Sequence, residues 1–72
     1  REAAIVARLE AGDSSIPEMV KTIYADIDKK LHPAACHSVL GHMIHLVKEG
    51  RVSVEGNASV AGSYTLTEKQ PA

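Results

Sequence analysis

Residues 31–51, LHPAACHSVLGHMIHLVKEGR, decide how this chain is read. Pro33 opens a helix, since its missing N–H costs nothing in a first turn, and the residue before a proline avoids helical angles. His32 is therefore expected just outside the helix and Pro33 just inside it. At 100° per residue, Cys36, Val39, Leu40, Met43, Ile44, Leu46 and Val47 share one broad apolar arc. Ser38, Gly41, His42, His45, Lys48 and Glu49 occupy the other side, with His37 at the boundary. Gly50 ends the helix.

Downstream, Val52 and Val54 alternate with Ser53 and Glu55, and Tyr64 and Leu66 alternate with Ser63, Thr65 and Thr67. Two short strands around the small-residue loop 56–62 make a hairpin, and residues 68–72 read as a frayed tail. Upstream, residues 2–11 place Ile5, Val6 and Leu9 on one face of a short helix that stops at Gly12. Ser15-Ile16-Pro17-Glu18 fits a capping box that starts a second helix. That helix carries Ile16, Val20, Ile23, Tyr24 and Ile27 on one side, with Met19 flanking it. Tyr24 is expected to pack its ring and keep its hydroxyl near the surface. Asp26 and Asp28 belong to a charged, solvated connection.

Three helices followed by a β-hairpin wing give an α+β fold, a small winged helix. A short third strand near residues 14–16 would complete a three-stranded sheet.

The chain has 72 residues, enough for one domain with a thin margin of stability. It contains no Phe or Trp and only two tyrosines, so the core should be aliphatic. Its net charge is −1, rising to +3 if all four histidines were charged. That is a poor starting point for binding a polyanion, where each neutralised phosphate needs a Lys or Arg. One cysteine, Cys36, allows no internal disulfide and no thiolate cluster for zinc. No apolar run approaches the ~20 residues that cross a bilayer, and no signal-peptide pattern is present. An intracellular, cytoplasmic protein with no membrane partner is the expectation. The chain begins with Arg1 and is helical in pattern almost at once, which suggests a piece of a longer protein.

Chemistry is thinly represented. A DNA-reading third helix needs Arg, Lys, Asn or Gln on its groove face. Here that face offers Ser38, Gly41, His42 and His45, with Lys48 at the far end, and the wing adds Arg51, Asn57 and Glu55. Nucleic acid is thus an unexpected partner for the isolated domain. His42 and His45 are three apart, so their imidazoles could converge, with Glu49 as the obvious third ligand. Zinc normally takes three or four protein ligands, and that count leaves the chain with no metal site and no cofactor of its own. Cys36 lies in the apolar arc, where a thiol behaves as a small hydrophobe rather than a nucleophile for His32 or His37. Ser14, Ser15 and Ser38 fit no nucleophile elbow. No catalytic residue is expected in this chain.

SIPEMVKTIY (15–24), LHPAACHSVLGHMIHL (31–46) and EGRV (49–52) resemble the C-terminal winged-helix domain of metallo-β-lactamase-fold hydrolases. The lactamase-β-like group is the most similar, with words of the form T-I-P-x-M-V, L-H-x-x-A and H-L-x-x-L-x-x-E-G. Leu31, His32, Ala35, His42 and Leu46 match those words. Ser15 stands where Thr is usual and Met43 where Leu is usual. The resemblance implies that residues 1–72 are one accessory domain from the C-terminus of a longer, zinc-type hydrolase. Its partner would be that protein's N-terminal αββα domain, where an H-x-H-x-D-H motif holds two metal ions, zinc in type, and esters, thioesters or RNA are cleaved. The motif is absent here, since His42-Met43-Ile44-His45 is not it. The expected docking face is His32, Ser38, Gly41, His42 and His45, with Lys48 and Arg51 as cations on the substrate side. The competing reading is a free-standing winged-helix regulator that binds nucleic acid or protein.

Overall fold

A computed structural model describes residues 2–67. The order is α1 (Glu2–Glu10), α2 (Ile16–Ile23), a 3₁₀ turn (Lys29–Leu31), α3 (His32–Lys48), β1 (Val52–Val54) and β2 (Tyr64–Leu66). The strands pair antiparallel with Val52 opposite Leu66 and Val54 opposite Tyr64. This is the winged-helix order read from the sequence. The expected frayed tail, residues 68–72, lies outside the described residues. Among those residues no helix is long and apolar enough to cross a membrane.

Local chemistry explains the element boundaries. α1 stops at Gly12, which adopts a φ of 108°, and the Asp13 N–H then reaches back to the Arg8 carbonyl at 2.9 Å. The Arg8 guanidinium closes the same turn on the Asp13 carboxylate at 2.9 Å. At α2 the capping box forms as expected. Ser15 Oγ accepts from the Glu18 N–H at 3.4 Å, and Glu18 Oε1 accepts from the Ser15 and Ser14 N–H groups at 3.2 and 3.1 Å. α3 ends where Gly50 turns to a φ of 78° and the Arg51 N–H bonds to the Leu46 carbonyl at 3.0 Å.

Four details differ from the sequence reading. α2 stops at Ile23 rather than running on to Ile27, because Tyr24 leaves helical geometry and residues 24–27 form turns. His32 is the first residue of α3, not a residue outside it. The 3₁₀ turn, capped by Asp28 Oδ1 on the Lys30 N–H at 2.9 Å, delivers the chain with helical angles already set, overriding the bias imposed by Pro33. No third strand forms at residues 14–16. A single bond, from the Tyr64 N–H to the Ser14 carbonyl at 2.8 Å, ties that segment to the hairpin. Met19, read as flanking, is fully buried.

The core joins Ile5 and Leu9 of α1, Ile16, Met19 and Val20 of α2, and Ala35, Val39, Met43 and Leu46 of α3, with Val52 and Tyr64 beneath the wing. It is not purely aliphatic, since Tyr64 is the largest side chain buried completely. Its hydroxyl accepts from the Ser59 N–H at 2.9 Å and donates to the Ser59 carbonyl at 2.6 Å. The wing loop is thereby held against the core by a buried phenol. Tyr24 and Cys36 are half-buried and pack on the edge of this core.

Candidate functional site

α3 buries Ala35, Val39, Met43 and Leu46 and turns Ala34, His37, Ser38, Gly41, Ile44, His45, Lys48 and Glu49 to solvent. The buried stripe is narrower than the apolar arc drawn from periodicity. Ala35 joins it, while Ile44 is 39% exposed. The solvent side is flat at its centre, where Ala34, Ser38 and Gly41 carry almost no side chain. A Cβ added at Gly41 would meet nothing within 4 Å. No packing among the described residues therefore accounts for a glycine that weakens the helix by about 1 kcal/mol relative to alanine.

The five residues expected to form the docking face divide into two groups. Ser38, Gly41 and His45 lie on the solvent side of α3, and His42 sits half-buried at its edge. His32 is one end away, half-buried, with Nε2–H donating to the Tyr24 carbonyl at 3.3 Å. There it borders a surface groove with Lys21, Ala25, Ile27 and Lys29. Of the expected cations, Lys48 is exposed on the last turn of α3, and Arg51 begins the wing with Nη1 3.9 Å from Glu49 Oε1.

His42 and His45 converge on a group that spacing could not reveal, the Glu2 carboxylate of α1. His45 Nδ1 donates to Glu2 Oε2 at 2.7 Å, and His42 Nδ1 lies 3.7 Å from the same oxygen. His45 Nε2 faces Glu49 Oε2 at 3.5 Å. Glu2, His45 and Glu49 thus place one ligand atom each within 4.8 Å of the others. The hydrogen bond to Glu2 is the main cause raising the His45 pKa above its ordinary value, and the Glu49 charge adds to it. The same bond holds Glu2 below the usual carboxylate range. The only sequence hint was an acidic residue in a first helical turn, and the two partners are 43 positions apart.

This pair makes stability depend on pH. The Glu2 contribution is present above the unfolded carboxylate pKa and is lost as pH falls through the depressed folded value. The His45 contribution is present below the unfolded imidazole pKa and is lost as pH rises through the raised folded value. Both operate in the window between those limits. Thermal melts of wild type and Glu2→Gln should differ most near about pH 5.5 and less near about pH 8.5. A constant difference across that range would show that the pair does not titrate as described.

The family model for the β-lactamase-associated winged-helix domain matches residues 15–61, which is more than half of the chain and runs from the α2 cap through the wing loop. No curated protein and no solved structure shows significant similarity to it.

Proposed function

The chain belongs to the β-lactamase-associated winged-helix family, and on that premise we propose that it is a non-catalytic accessory domain of a metallo-β-lactamase-like hydrolase. In this reading it docks on the αββα catalytic domain through the solvent side of α3 and shapes access of substrate to that domain. The two zinc-type metal ions would belong to the catalytic domain. No H-x-H-x-D-H motif occurs in this sequence to hold such a pair, so no catalytic step is assigned to its residues.

The observation that carries the docking reading is Gly41. It stands on an exposed helix face, and among the described residues nothing lies within 4 Å of where its Cβ would be. A residue that costs helix stability without a local reason is accounted for when another backbone must come close. Ser38 and Ala34, one and two turns away, extend the same low surface, and among the described residues on that side of the helix the one lysine or arginine is Lys48 near its end. Such a surface suits a protein neighbour better than a phosphate backbone.

Two substitutions test it by the sign of their effects. Gly41→Ala should stabilise the chain by about 0.5–1 kcal/mol in urea unfolding, through helix propensity alone. Joined to its catalytic domain, the same change should lower the melting temperature, and Gly41→Arg should lower it further and alter KM. Equal stabilisation by Gly41→Ala in both settings, with unchanged activity for Gly41→Arg, would remove this face from the reading.

Exposed Lys48 and Arg51, at one end of the molecule, are what favour the alternative, a regulator that binds nucleic acid. Such binding should weaken steeply between about 50 and 200 mM salt, with a slope set by the number of phosphate contacts. Absence of binding at low salt would exclude it. If the parent cleaves RNA, the same two cations would lie on its substrate side.

A further inference from the structure

Four side chains from distant parts of the sequence gather on one surface. Glu2 stands in the first turn of α1, and His42, His45 and Glu49 follow one another along a face of α3 at spacings of three and four. An ion pair would need only Glu2 and His45. Glu2 Oε2 lies 2.7 Å from His45 Nδ1 and 3.7 Å from His42 Nδ1, while Glu49 Oε2 lies 3.5 Å from the opposite ring nitrogen, His45 Nε2. One ion would take a single nitrogen of His45, and one carboxylate would swing toward it across a gap of no more than 4.8 Å.

We propose that Glu2, His45 and Glu49 form a surface site for one divalent cation of the zinc class, with His42 completing the ligand set by a side-chain rotation. Imidazole and carboxylate together are a borderline nitrogen and oxygen donor set, which suits zinc and its neighbours rather than magnesium or calcium, whose sites are built of oxygen. Ligands about 2.0–2.2 Å from a tetrahedral ion sit roughly 3.3–3.6 Å from each other. The spacings here, from 2.7 Å to at most 4.8 Å, bracket that range. His42 and His45 project from α3 and Glu49 from its C-cap, so the α3 backbone sets how far apart the three side chains start. All four are partly or largely exposed, with side-chain exposures from 29% to 57%, and can shift by tenths of an ångström without disturbing the core. Two carboxylates would neutralise the ion. The ion would replace the proton that His45 shares with Glu2, so metal and proton compete for that nitrogen. Arg51, 3.9 Å from Glu49, would have to release that carboxylate, and Lys48 adjoins it on the helix. The bound ion would fasten the start of α1 to the last turns of α3.

The test is a titration of the chain with zinc chloride near about pH 7.5, followed by nuclear magnetic resonance and thermal melts, with magnesium in parallel. Expected are saturable binding of one ion, shifts of the His42 and His45 ring signals, and a raised melting temperature with zinc alone. Glu2→Gln and Glu49→Gln should each weaken binding about tenfold or more, and His45→Ala should abolish it. His37→Ala and Cys36→Ser should leave it unchanged. Circular dichroism confirms the fold of each variant, and Glu49→Gln, on the exposed last turn, serves if Glu2→Gln unfolds. Absence of saturable zinc binding below about 1 mM would overturn the proposal. So would full affinity in the Glu49→Gln and His45→Ala variants, or loss of binding on changing His37 or Cys36.

Discussion

Replacing Tyr64 by alanine is expected to remove a large share of the chain's stability. Tyr64 is fully buried and is the largest such side chain. Truncating a buried aromatic residue costs about 3–5 kcal/mol. A chain of 72 residues is stable by roughly 4–10 kcal/mol in all, so this one change removes from about a third to the whole of the margin. Tyr64→Phe separates the two roles of the residue. It keeps the ring and removes only the hydroxyl that bonds to the Ser59 N–H and carbonyl. The cost should be about 1 kcal/mol, since water can reach part of the exposed loop. The fold should persist while the Ser59 amide exchanges its hydrogen faster. Urea unfolding and amide exchange read both effects. If Tyr64→Phe were as damaging as Tyr64→Ala, the ring would not be the principal contributor.

The second large effect contrasts adjacent residues. Met43→Ala should destabilise the chain by about 2–5 kcal/mol, because the side chain is fully buried and the cavity cannot fill. Ile44→Ala should cost about 1 kcal/mol or less, since Ile44 is 39% exposed and alanine is the better helix former. Both residues lie on the apolar arc that periodicity draws along α3. Similar losses in the two variants would mean that α3 is rotated from the orientation described.

These contrasts mark the limit of what could be read from the chain beforehand. The helix order, the capping box at Ser15 and Glu18, the stops at Gly12 and Gly50, and the alternation in both strands all appeared in the sequence. Each depends on hydrogen bonds or side-chain periodicity within a turn or two, so neighbouring residues suffice to specify it. The pattern words at 15–24 and 31–46 led to the family for the same reason. An ordered run of short local signals survives without knowledge of how the elements pack.

Tertiary packing decided the rest. An apolar arc on a helix is wider than the strip that a neighbour can cover, and the crossing of α3 over α1 and α2 selected Ala35 for burial and left Ile44 exposed. Met19 went fully inside by the same selection on α2. Tyr64 looked like an ordinary wing residue until the hairpin folded back and made its ring part of the core. His32 entered α3 because the 3₁₀ turn before it fixed its backbone. Glu2 met His42 and His45 only because α1 lies against the end of α3. A carboxylate 43 positions from its imidazole leaves no trace in spacing, and only the packing of the two helices brings the charges within a hydrogen bond.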